Sequence, residues 1–145
     1  MVLLVQLEIK GMKFPLDRKY YTKDGAHIWL KQERNLVKIG MDAFAAEMSK
    51  PLTAFIVNKG LVNSGEEIGS FESTKYIGKF HSPISGEIIS VNEHVLINPQ
   101  NINENPYKSW IAKIKPDKNQ KTNKYIIEGK DKILNWINKE IKKIY

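Results

Sequence analysis

The stretch Phe71-Glu72-Ser73-Thr74-Lys75-Tyr76-Ile77-Gly78-Lys79-Phe80, followed at once by His81-Ser82-Pro83-Ile84-Ser85-Gly86-Glu87-Ile88-Ile89, decides how this chain folds. Residues 67–72 rise into a short polar turn and residues 80–82 descend from it, with Lys75 at the tip. Gly86 to Asn92 then alternates apolar and polar residues, the period of a half-buried strand. Ile68 to Phe71 and Gly86 to Val91 are similar in length and pattern on either side of Lys75, and read as two matched hairpin halves.

Outward from this stretch the chain is dominated by short strands. Tyr20-Tyr21-Thr22 leads into the Lys23-Asp24-Gly25 turn, and His27-Ile28-Trp29-Leu30-Lys31 and Leu36-Val37-Lys38-Ile39-Gly40 form a hairpin around Gln32-Glu33-Arg34-Asn35. Phe44, Ala45 and Met48 fall at helical spacing behind Asp42, a capping residue, so a short helix lies near residues 41–49 and stops before Pro51. Leu52 to Val57 reads as a strand, and Lys59-Gly60 and Asn63-Ser64-Gly65 as loop. The segment from Asn98 to Tyr107, with its prolines and asparagines, is expected to be loop, and Trp110 to Lys115 a last strand. Asp117 to Lys124 is polar and linker-like. From Asp131, Ile133, Trp136, Ile137, Ile141 and Ile144 form one stripe opposite lysines, an amphipathic C-terminal helix. About seven short strands with few helices indicate a mainly β protein, a flattened barrel or sandwich. Residues 1–116 form the expected globular domain. Residues 117–145 form a basic linker and helix packed on it or on a partner.

Composition narrows the function. The 145 residues include no cysteine, which excludes a thiol nucleophile, a thiolate metal site and a disulfide framework. Redox work would therefore require an attached group. The formal charge of +7 is concentrated at the end: ten lysines stand against four carboxylates from Lys113 onward, leaving thirteen basic and twelve acidic residues before it. Only Arg18 and Arg34 are arginines, the side chain best suited to bidentate phosphate and base contacts, which argues against nucleic acid. The Met1–Lys10 segment lacks a basic leading region, and Gln6, Glu8 and Lys10 interrupt its apolar run; the alternation from Leu3 to Ile9 suits a strand, and a cytoplasmic location is expected. No His, Asp and Glu spacing suggests a metal site, His81 and His94 included, and no phosphate loop or nucleophile triad is recognisable. Trp29, Phe55 and Trp110 read as core. His27 reads as a packed histidine or as part of a cavity wall.

A lysine held on a projecting turn by two strands is the arrangement of a swinging-arm carrier, in which the tethered cofactor performs the chemistry. The local motifs strengthen this reading. Glu72-Ser73-Thr74-Lys75, Ser82-Pro83-Ile84-Ser85-Gly86-Glu87-Ile88 and Val91-Asn92-Glu93 resemble the lipoylation region of the glycine cleavage system H protein family. Tyr21-Thr22, His27-Ile28-Trp29, residues 39–45, Asn98-Pro99, residues 103–107 and Trp110-Ile111-Ala112-Lys113-Ile114 resemble other family landmarks in order, so the match runs from about Phe14 to Pro116.

The resemblance implies a barrel-sandwich hybrid fold and a lipoyl carrier that is not itself an enzyme. Lipoate would be amide-linked to Lys75, with Glu72, Ser73 and Tyr76 shaping recognition by a lipoyl ligase or transferase and by partners. Thr74-Lys75-Tyr76 does not resemble a biotin site. The chain also departs from the family pattern in Tyr76-Ile77-Gly78 after the lysine, in Lys50-Pro51-Leu52, in a shortened Tyr107-Lys108-Ser109-Trp110 and in the basic tail. Tyr76-Ile77-Gly78, with Gly11-Met12-Lys13-Phe14-Pro15 and Tyr20-Tyr21, resembles more closely the lipoate-binding branch of sulfur oxidation, which works with a heterodisulfide-reductase-like complex. That branch is the expectation here. The alternative is the aminomethyl carrier that serves glycine decarboxylase, aminomethyltransferase and dihydrolipoamide dehydrogenase. A remote alternative is an unmodified basic binding module.

Overall fold

The computed structural model describes residues 5–144. Chain order is β1 (Gln6–Ile9), β2 (Met12–Pro15), β3 (Lys19–Tyr21), a 3-10 turn (Lys23–Gly25), β4 (Ile28–Glu33), β5 (Leu36–Met41), α1 (Ala43–Met48), β6 (Leu52–Val57), β7 (Gly60–Val62), β8 (Glu67–Ser73) and β9 (Ile77–His81), then β10 (Gly86–Val91), α2 (Glu93–Ile97), α3 (Gln100–Glu104), β11 (Ala112–Pro116), β12 (Ile126–Ile127) and α4 (Lys130–Ile144). Of the expected N-terminal strand, Leu3 and Leu4 lie outside the described residues.

The strands form a seven-stranded sheet in the order β12-β3-β4-β5-β11-β10-β7, a three-stranded sheet β6-β8-β9, and the β1-β2 hairpin. All pairings are antiparallel. The fold is mainly β with a C-terminal helix and matches the barrel-sandwich architecture.

Alternation along β4 divides the interior in two. Ile28 and Leu30 face the core between the sheets, with Ile39, Leu52, Phe55, Phe80, Ile88 and Ile114. Trp29 faces the other way, into a second cluster with Leu7, Phe14, Tyr20, Phe44, Ile133, Ile137 and Ile141. The period of 2 in a strand thus gives one sheet two buried faces, the second covered by α4. Gly40 lies opposite Trp29 because a Cβ there would stand 2.6 Å from the indole.

Three sequence expectations need correction. Residues 98–107 are not all loop, because Gln100–Glu104 is helical and buries Ile102 completely. Ile102 supplies the apolar contact that outweighs the weak helix preference of its asparagine neighbours. Gly60–Val62, read as loop, is an edge strand paired to β10. The segments flanking Lys75 are not two halves of one hairpin: β8 pairs with β6 and β9, whereas β10 pairs with β7 and β11. The strand β9 is too short and glycine-interrupted to declare itself by alternation.

The Pro-containing segment between β9 and β10 carries the chain from one sheet to the other. Buried Ser82 donates its hydroxyl to the Ile84 carbonyl at 2.7 Å, its N–H to Glu66 O at 2.9 Å, and accepts from Gly65 N at 2.7 Å. The Ser64 N–H donates to Ser85 Oγ at 2.8 Å. This crossing fixes the lysine hairpin on the body.

Candidate functional site

Lys75 is exposed on the turn between β8 and β9. Ser73 organises that turn: its N–H donates to Tyr76 O at 2.9 Å, and its Oγ accepts from the N–H groups of Lys75 and Tyr76 at 3.1 and 3.2 Å. A serine satisfying the turn's own amides holds the tip without a buried side chain. Glu72 is exposed beside it, and Ile77, its cross-strand partner, is 73% exposed. Glu72, Ser73, Lys75 and Tyr76 therefore come together at one tip.

The hairpin stands on an aromatic base. Phe71 lies directly across from Gly78, where a Cβ would come within 2.3 Å of the Phe71 ring. Glycine there lets the ring lie flat over the neighbouring strand. Phe55 stacks on Phe71 at 5.9 Å, Phe80 meets Phe55 edge-on at 5.3 Å, and Tyr76 packs edge-on against Phe71 at 6.3 Å. Offset and edge-on ring pairs of this kind attract one another beyond their burial alone, and the tip projects from this cluster.

Beside the tip lies an open cleft of about 590 Å³. Tyr21, His27, Phe44, Phe71, Tyr76 and Ile144 are among the residues that line it. Lys23, Asp24 and Lys79 also line it. The lining is mostly apolar.

His27 is both of the things expected of it, a buried histidine and part of the cleft lining. Its Nδ1 lies 2.9 Å from Asp42 Oδ2 and its Nε2 3.0 Å from Glu140 Oε1. The ring is sandwiched between Phe44 and Trp136, each centroid 4.4 Å away and nearly parallel. Burial alone would push the imidazole down, but the Asp42 and Glu140 carboxylates outweigh it and hold the pKa above the ordinary histidine value. Burial likewise favours the neutral form of Glu140, yet Lys143, 2.7 Å away, and His27 hold its carboxyl below the usual range. Asp42 also caps α1, accepting from Ala45 N at 2.9 Å. The sequence reading missed this cluster. Its signal was Glu140, a carboxylate set among Ile133, Trp136, Ile137 and Ile141 on the apolar stripe of the helix.

No group of three or more His, Cys, Asp or Glu side chains suited to a metal ion occurs among the described residues. No helix among them is long and apolar enough to cross a membrane.

A family profile described as "Glycine cleavage H-protein" matches residues 19–140. A "Probable glycine cleavage system H protein 3" of Sulfurisphaera tokodaii is 39% identical over 113 residues, covering 77% of this chain and 82% of that protein. "Glycine cleavage system H protein 5" of Aquifex aeolicus is 35% identical over 127 residues, covering 84% and 86%. The crystal structure of a glycine cleavage system H protein from Mycobacterium marinum superposes with a TM-score of 0.72 at 25% identity, covering 88% of this chain and 98% of that one. The chain belongs to the glycine cleavage H-protein family.

Proposed function

We propose that the protein is a lipoyl carrier of glycine cleavage, with the lipoyl group amide-linked to Lys75. The observation that carries this reading is the exposed Lys75 on a turn tied by Ser73 and standing on the Phe55-Phe71-Phe80 base, beside an apolar cleft. The attached dithiolane would supply the redox-active sulfurs that a chain with no cysteine lacks. The protein's own part is to hold the tether at a fixed place, present Glu72 and Tyr76 to a lipoyl ligase or transferase, and shelter the arm against Phe71, Phe80 and Tyr21. It is then a carrier without catalysis of its own, passing an aminomethyl group among glycine decarboxylase, aminomethyltransferase and dihydrolipoamide dehydrogenase.

The sulfur-oxidising role with a heterodisulfide-reductase-like complex, expected from Tyr76-Ile77-Gly78, has no counterpart among the relatives reported above, which carry glycine cleavage names. We therefore adopt the aminomethyl role. The departure after Lys75 has a structural explanation that does not need a different cargo: Gly78 accommodates Phe71, and Tyr76 packs on it.

Intact-mass analysis of protein made in a lipoate-competent host tests the tether. One lipoyl adduct is expected, absent in Lys75→Arg. An unmodified wild type after incubation with a lipoyl ligase would overturn the reading. Loading of the modified protein by glycine decarboxylase tests the aminomethyl role separately.

A further inference from the structure

We propose that the C-terminal half of α4 is a movable wall of the cleft, latched shut by Glu140 on His27, and that Glu140 is the positioning residue that keeps the arm sheltered there. The sheltering part rests on the carrier reading; the latch itself does not.

Three elements meet at this latch. His27 immediately precedes β4, Asp42 caps α1, and Glu140 projects from α4, 113 residues from His27. A neutral imidazole has one N–H, so only the doubly protonated ring donates to both carboxylates. The Phe44 and Trp136 faces enclosing the ring add attraction for that cation. The charged groups around it are Asp42 and Glu140, with Lys143 behind Glu140. Tyr20 and Tyr107 lie near Asp42, and burial, their largest cause, pushes both phenols far above the usual range.

The placement makes a hinge-like division of α4. Its first half is anchored by Ile133 and Ile137, both fully buried. Its last residues, Lys142, Lys143 and Ile144, are exposed. Among the described residues, the contact to His27 is the one side-chain hydrogen bond from α4 to the rest of the protein. Ile144, on the turn beyond Glu140, lines the same cleft as His27, Phe44 and Tyr76. Releasing Glu140 would leave Ile141 as the last apolar hold and free the wall that Ile144 forms. A helix end held by one ion pair and one buried isoleucine opens locally at a lower cost than the core strands.

Hydrogen–deuterium exchange on the full-length lipoylated and unmodified protein tests the latch. In Glu140→Gln, amides of residues 138–144 should lose protection by about tenfold or more, while β8 and β9 keep theirs. Unchanged protection in α4 would overturn the latch, whatever Lys75 carries. Should that variant fail to fold, the wild type decides. Its α4 protection, corrected for intrinsic exchange, should fall as pH rises through the His27 pKa, and pH-independent protection would overturn the latch. The reduced arm in Glu140→Gln should be alkylated by iodoacetamide several-fold faster than in the wild type. Lost α4 protection with an unchanged alkylation rate would overturn the sheltering role. A wild type that takes no lipoyl group but shows the α4 response would overturn the carrier reading and leave the latch standing.

Discussion

Nε2 of His27 lies 3.0 Å from Oε1 of Glu140, joining the residue just before β4 to the C-terminal helix across 113 positions of sequence. Nδ1 of the same ring meets Asp42, so one side chain ties a strand, a helix cap and the last helix. The pH dependence of stability follows from the directions of the two shifts. The His27 pKa is raised above 6.5, so its contribution is complete below about 6.5 and is lost as pH rises through the folded-state value. The Glu140 pKa is lowered below 4.5, so its contribution is present above about 4.5 and is lost as pH falls through the folded-state value. Thermal unfolding should show this pair's contribution at its maximum between those limits. His27→Gln should flatten the alkaline decline, and an unchanged alkaline limb would count against the pair.

The C-terminal helix is part of the hydrophobic interior. Ile137 is fully buried in the cluster formed by Phe14, Tyr20, Trp29 and Phe44. Ile137→Ala should cost about 2–5 kcal/mol, as large-to-small core substitutions do. Denaturant unfolding monitored by tryptophan fluorescence measures it. Removing residues 130–145 should lower stability further by uncovering the whole face, and a truncated chain as stable as the full one would contradict the packing.

Gly78 is a steric requirement of the lysine hairpin. Gly78→Ala would place a Cβ 2.3 Å from Phe71. The expected loss is about 1–3 kcal/mol from overpacking, read as a lower denaturation midpoint. Combining it with Phe71→Leu should recover part of the loss, since the ring is what obstructs.

Ser73 acts on the shape of the tip. Ser73→Ala removes the acceptor for the Lys75 and Tyr76 amides. Because the turn is exposed, water can replace those bonds, and global stability should fall by about 1 kcal/mol or less. Lipoylation by a purified ligase should slow more than that stability change accounts for. Equal lipoylation rates for Ser73→Ala and wild type would show that the ligase tolerates a loosened tip.

The strand alternation around Trp29 and Ile39, the cap at Asp42, and the stop at Pro51 were legible because each depends on near neighbours. The polar turn that carries Lys75 between two strands was legible for the same reason. Gln100–Glu104 was not, since a short asparagine-rich helix exists only through what Ile102 buries. Nor was β7, three residues whose strand character comes from pairing with β10.

By itself, the sequence determined a mainly β chain with a lysine on a projecting turn, no cysteine chemistry and an amphipathic, basic C-terminal helix. Periodicity, turn residues and composition are local properties, and they are written in adjacent positions. Tertiary structure alone decided which strands share a sheet with the lysine, that a cleft opens beside Tyr76, and that Glu140 meets His27. Those outcomes depend on long-range burial, where a carboxylate on an apolar stripe is tolerable only because a charged partner from a distant segment is already waiting.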